Sequence, residues 1–159
     1  MAESIWIKVD GCKGEATDSK HTDEIDVDTW HWGLAAPIDP AGTGLSAGET
    51  TASALTVSKT FDMASPNLIL FCASQKPLGK VVLTQRKRGD SPIENVKITM
   101  ENAVVASVQD SGSGDGVPVT ESVSFAFTGV SIEYTPQKDD GTAGAAVTAG
   151  WDFAKNQKK

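Results

Sequence analysis

Histidine and cysteine, the side chains most often recruited for catalysis and metal binding, are scarce here: two of each in a chain of 159 residues. Cys12 and Cys72 have neither metal-ligand nor redox spacing, so the expectation is two reduced thiols rather than a zinc cluster or a CxxC centre. His21 stands in the polar turn SKHTDE and His31 between two tryptophans. Neither has a nucleophile or acid partner at a recognisable spacing. HExxH, GxSxG and P-loop signatures are missing as well. DSGSGDG carries glycines without a strand before it and a helix after it, so it reads as a turn rather than a phosphate cradle. HTDEIDVD is acidic but lacks the glycine pivot and ligand order of a calcium loop. No catalytic residue, cofactor site or metal site is expected.

Basic charge is also in short supply. The net charge of −7 arises from 21 acidic against 14 basic residues, which argues against nucleic acid as a partner, since that would require a basic face. The basic cluster RKR, Arg86 to Arg88, and the terminal KK read as solvated strand ends. Long hydrophobic runs are lacking, which argues against membrane insertion. The beginning MAESIWIKVDG shows no basic region followed by a long apolar segment, so no cleaved secretory signal is expected. The length suits one domain over 1–159, large enough to bury a core without staples.

What the sequence has in quantity is alternation. SIWIKV sets Ile5, Ile7 and Val9 against Ser4, Trp6 and Lys8, and EIDVDTWHW begins with Ile25 and Val27 facing inward. SALTVSKTF places Leu55, Val57 and Phe61 on one side, and AAVTAGWDF ends with Val147, Trp151 and Phe153 in register. KVVLTQRK and ENVKITMENAVVASV continue the pattern. Short strands separated by Gly-, Asp- and Ser-rich turns predict an all-β sandwich or barrel. One segment departs from it. In FDMASPNLILFCASQKPLG, Ser65 reads as a helix N-cap with Pro66 at the first helical position, opening a short apolar helix over 65–76 that Pro77 and Gly79 end.

In ESVSFAFTGVSIEY the apolar residues are odd-numbered up to Phe127 and even-numbered after Gly129. Side chains alternate with period two, so this change of parity sends the apolar set to the other face. A β-bulge at Gly129 is the expectation, bending the strand as a barrel or a pair of orthogonal sheets requires. IDVDTWHW slips in the same way near Thr29, putting Trp30 and Trp32 at the opposite parity. A second explanation, compatible with the first, is that one face packs in the core and the other against a second subunit.

The segment 33–54, GLAAPIDPAGTGLSAGETTASA, carries only Asp39 and Glu49 as charges. A loop that long in a compact domain is functional or disordered. Its apolar Leu34, Ile38 and Leu45 suggest that it docks on something. Stretches 109–118 and 136–145 read as hairpin connections. On residues alone a carbohydrate-stacking platform built from Trp30 and Trp32, and a small hydrolase using His21 or His31, remain as other classes.

Taken in order, IKVDGCKGEATDSKHTDEIDVDTWHWG, FDMASPNLILFCASQK, ESVSF with SIEYTPQKDDG, and GWDFAKN resemble the haemolysin-coregulated protein (Hcp) family, the tube subunits of bacterial type VI secretion. The similarity runs over nearly the whole chain. The resemblance implies a bulged β-barrel of two packed sheets, one short flanking helix and an extended loop. It implies hexameric rings stacked into a tube, with tip and sheath components and small effector proteins in the ring lumen as partners. It also implies folding in the bacterial cytoplasm and export without a signal peptide. The 33–54 loop would be the extended loop that reaches the neighbouring ring, with Ile38, Asp39, Leu45 and Glu49 as stacking residues. The tryptophan-flanked strand would face the channel on one side, placing His31 in the lumen as a cargo residue. Trp30, Trp32, Gly129, Ser65 and Pro66 would be structural.

Overall fold

The computed structural model describes residues 3–39, 46–47 and 49–159. Strands dominate, as the alternation predicted, and they lie in two sheets. One holds β1 (Glu3–Val9), β2 (Ile25–Val27), β9 (Gly79–Lys87), the first half of β10 (Ile93–Ser111), β12 (Gly129–Tyr134), β13 (Val147–Asp152) and β14 (Gln157–Lys158). The other holds the second half of β10 with β11 (Thr120–Ala126), β8 (Leu55–Thr60) and β3 (Thr29–His31). Leu55, Val57, Val123 and Phe125 from the second sheet meet Ile7, Val81, Leu83, Ile98 and Met100 from the first in one core. Two packed inner faces of alternating residues are how such sheets shed water from their apolar sides.

β10 belongs to both sheets because it kinks. Its buried residues are Ile93 and Asn95, then Ile98 and Met100, then Ala103 and Val105, a parity that changes twice. Both changes coincide with register shifts against β9, between Ile93 and Val96 and between Met100 and Ala103. At the second shift Asn102 takes a left-handed conformation (φ 52°), which asparagine tolerates better than most residues. Its Nδ2 donates to Thr128 Oγ1 at 3.0 Å, and the Thr128 N–H donates to the Glu101 carbonyl at 3.1 Å.

That bond explains the parity change at Gly129, and corrects the expected bulge. ESVSFAFTGVSIEY is two strands rather than one bent strand: β11 ends at Ala126 in the second sheet and β12 starts at Gly129 in the first. Phe127 and Thr128 form the corner, pinned to the β10 kink. The slip near Thr29 has the same origin. β2 pairs with β1, β3 pairs with β8, and between them the Asp28 N–H donates to the Ser58 carbonyl at 2.8 Å. The chain therefore crosses between the sheets at Asp28, through β10 and at the Phe127–Thr128 corner.

The helix α1 (Ser65–Ser74) buries Ser65, Leu68 and Phe71 and exposes Pro66, Ile69 and Leu70. Its start differs from the expectation. Ala64, not Ser65, is the N-cap residue, and it has no side-chain cap bond. Ser65 is the first helical residue, and the Asp62 carboxylate accepts the Ala64 N–H at 3.0 Å instead. The serine hydroxyl is turned inward to a buried ion pair described below. The helix ends two residues earlier than predicted, with Gln75 left-handed and its N–H on the Cys72 and Phe71 carbonyls.

Residues 10–24 fold back on themselves, Gly14 and Ala16 bonding to Asp23 and Glu24 backbone. A β-carbon on Gly14 would lie 2.3 Å from the Glu24 carbonyl oxygen, so only glycine fits there. This loop covers Trp6. The alternation put Trp6 on the polar side of β1, yet it is 5% exposed. His21 stacks on its ring at 4.2 Å and the Arg86 guanidinium lies over it at 4.6 Å. β1 is thus covered on its second face at Trp6, while Lys8 on that face stays exposed.

Candidate assembly surfaces

The described residues of the segment 33–54 form a β-arm. β4 (Leu34–Ala35) pairs with β7 (Thr51–Ala52), and β5 (Ile38–Asp39) pairs with β6 (Ser46–Ala47). At its root Gly33 and Ser53 bond to one another's backbone and hydroxyl. Leu34 is 53% and Ile38 56% exposed, and Glu49 is exposed too. Leu45 lies outside the described residues. With no charged side chain among its described strand residues except Asp39, the arm presents apolar groups to solvent that its own chain does not cover.

A second surface is built by β10, β12 and β13. Directly paired residues share a face, and here they form three rows: Met100, Val130 and Trp151; Ile98, Ile132 and Ala149; Val96, Tyr134 and Val147. None of these nine is charged, whereas the opposite face carries Lys97, Glu133 and Asp152. Exposure rises steadily across the rows. Met100, Ile98 and Val130 are 0–3% exposed, Tyr134 is 47% and Val147 67%. The core face of the first sheet therefore runs out past the cover of the second, ending in solvent. Trp32, Leu34, Val130, Ile132, Trp151 and Phe153 line an apolar groove of about 340 Å³ there, at the root of the arm.

A third patch lies at the far end of β8. Phe61, Met63, Val117 and Val119 are 39–57% exposed. The Phe61 N–H donates to the Val119 carbonyl at 2.9 Å. β8 begins next to the arm root and ends at this patch, and six residues at roughly 3.3 Å each separate the two by about 20 Å. Exposed apolar groups thus occupy both ends of the second sheet.

Beneath the far patch sits a charge cluster that the sequence reading missed. Lys59 and Glu121 are each 1% exposed and their side chains meet at 2.8 Å. Lys59 Nζ also donates to Asp62 Oδ1 at 2.9 Å and to Ser65 Oγ at 3.1 Å, and the Ser65 hydroxyl donates to Glu121 Oε1 at 2.8 Å. Burial pushes Glu121 up, but hydrogen bonds from Asp110, Lys59 and Ser65 more than offset it and hold the carboxyl below its usual range. Nearby, burial and then the Asp62 charge push the Cys12 thiol up to about 11, so it stays protonated and donates to the Ala64 carbonyl at 3.5 Å. Both cysteines are free.

Both tryptophan rings are partly buried and pack against their own chain. Trp30 is half-buried against the core and donates its indole N–H to Gln85 Oε1 at 2.8 Å, while Trp32 packs on Phe127 with ring centroids 5.9 Å apart. His31, between them, is exposed on the other side of β3. His21 is 7% exposed, wedged between Glu24 at 2.8 Å and Glu94 at 2.6 Å, a packing position that a substrate does not reach. Gly129 is buried at the corner, with the Glu101 side chain 3.3 Å from where a β-carbon would stand. No group of three or more potential metal ligands exists among the described residues, and no helix among them is long and apolar enough to cross a membrane.

Comparison with known proteins agrees with this architecture. Residues 6–134 match the family model for the type VI secretion system effector Hcp. The chain is 37% identical to protein hcp1 of Pseudomonas aeruginosa over 98% of each. Among solved structures, a type six secretion system protein superposes with a TM-score of 0.94 at 30% identity, covering 99% of this chain and 100% of that one. Hcp1 from Salmonella typhimurium superposes at 0.84 and 37% identity over the full length of both. Two sheets with one short helix, a β-arm at one end and a relative matching end to end place this chain in the Hcp family of type VI secretion system tube proteins.

Proposed function

We propose that the protein is a ring-forming subunit of the type VI inner tube and works as a conduit rather than a catalyst. One observation carries this: an uncharged sheet face that rises continuously from 0% exposure at Met100 to 67% at Val147. A soluble domain on its own would cover such a face or place charges on it. In a closed ring the neighbouring subunit covers it by a head-to-tail contact, and large apolar interfaces are what hold obligate assemblies together. The whole chain then acts as one domain, with its interfaces on the outside of a single core.

Stacking follows from the two ends of the second sheet. The arm, with Ile38 near its tip, reaches from one ring towards the next, and the far patch of Phe61, Met63, Val117 and Val119 receives it. Repeating that contact builds a tube that tip and sheath components terminate and drive, and that leaves the bacterial cytoplasm through the type VI apparatus. Small effector proteins travel in the lumen. His31, exposed on the face of β3 opposite Trp30, lines that channel in this reading.

Sedimentation and negative-stain microscopy of the pure protein test the assembly. Annular particles of uniform size are expected; a monomer under all solvent conditions, with no rings on the grid, overturns the reading. His31→Ala is expected to change which effectors co-purify with the ring while leaving ring size unaltered. Unchanged cargo removes His31 from the lumen.

A further inference from the structure

We propose that Asp110 and Glu121 share one proton across the β10–β11 ladder, and that this proton clamps the far end of the second sheet. The two residues are directly paired in register, and Glu121 is in turn directly paired with Lys59 on β8. Three neighbouring strands therefore carry Asp110, Glu121 and Lys59 in a row, facing the same way. Lys59 and Ser65 both bind Glu121 through its Oε1. The other oxygen, Oε2, is buried and has no donor among the described residues unless Asp110 carries a proton. A buried acceptor left empty is costly, and an Asp110 hydroxyl is the group in position to fill it.

Charge balance points the same way. Among the described residues Lys59 is the one cation in direct contact with this cluster, and it already serves two carboxylates, Glu121 and Asp62, with Asp110 as a third acid and the neutral Cys12 thiol behind. Two adjacent carboxylates that share a site resist ionising together. Asp110 is itself exposed, but the partial loss of water on the side that meets Glu121, then the hydrogen bond and charge of Glu121, push it up to about 6, with Lys59 opposing. Asp110 folded thus holds its proton more tightly than Asp110 unfolded, so the stabilisation is complete below the ordinary aspartate value of 3.8 and is lost as pH rises through about 6. Above that, the last pairs of the β10–β11 ladder, and the exposed Val117 and Val119 beyond them, are held less firmly. The clamp is independent of ring formation, since it lies within one subunit.

Asp110→Asn tests it, because an amide offers Glu121 a permanent donor of the same shape. The variant is expected to melt above wild type at pH 7.5, by on the order of 2–4 °C, with the gap closing as pH falls towards 4. Carboxyl carbon NMR of the wild-type protein should show Asp110 titrating with a midpoint near 6. An equal offset in melting temperature at every pH, or an Asp110 midpoint in the ordinary carboxylate range, overturns the proposal.

Discussion

Ile38→Asp is expected to leave rings intact and to abolish their stacking and their export. Ile38 sits opposite Ala47 on the arm, 56% exposed and outside the core, so the substitution takes nothing from the folded subunit. Burying an isoleucine fully against a neighbour is worth about 1.5–3 kcal/mol. An unpaired carboxylate in the same place reverses the sign, because it must lose its water without gaining a partner. In the proposed ring that penalty would recur at every subunit, so a change of a few kcal/mol per contact would remove the interface altogether. Sedimentation should show single rings and microscopy no tubes, while Ile38→Val should stack normally. Tubes of ordinary length from the aspartate variant, with substrates still reaching the medium, would sink the role given to the arm.

Lys59→Ala should bring a large loss of stability, about 3–5 kcal/mol, because it leaves a fully buried Glu121 and a mostly buried Asp62 without their cation. Replacing the pair together, Lys59→Met with Glu121→Leu, should recover most of the loss, since two apolar side chains fill the same interior volume without desolvated charge. Urea denaturation at pH 7.5 reads both. The Glu121 contribution carries a definite sign with pH. Its carboxyl is held low when folded, so its part of the stability is present at neutral pH and disappears as pH falls through the folded value. A cost below about 1 kcal/mol for Lys59→Ala would place the ion pair in water rather than in the core.

That ion pair also shows how much of the structure was legible beforehand. Lys59 continues the parity of Leu55 and Val57, and Glu121 that of Val123 and Phe125. Opposite charges at inward positions of two strands were therefore a signal in plain view, overlooked because a charge at a strand end usually bends out to solvent. The helix start was misread for a related reason. Serine before proline matches a cap by type, but the Ser65 hydroxyl is taken up by Glu121, a partner 56 residues away. Trp6 and His21 were out of reach altogether, since their stacking needs residues 10–24 to fold over β1, and the fold-back rests on backbone bonds that leave no pattern in side-chain type.

Alternation of apolar and polar residues is a property of the chain itself, and it determined the strands, the inward residues and the places where a face had to change. Those places were located correctly at Gly129 and near Thr29, because in a pleated strand a parity slip marks a break in the alternation whatever its cause. Only the tertiary structure decided what a slip means: a corner between two sheets, set by the Asn102 kink and its bond to Thr128, rather than a bulge in one strand. The same holds for the surfaces. The sequence shows that Val147, Tyr134 and Ile38 are apolar, whereas their exposure follows from how far the second sheet extends over the first, a distance set by packing among residues far apart in the chain.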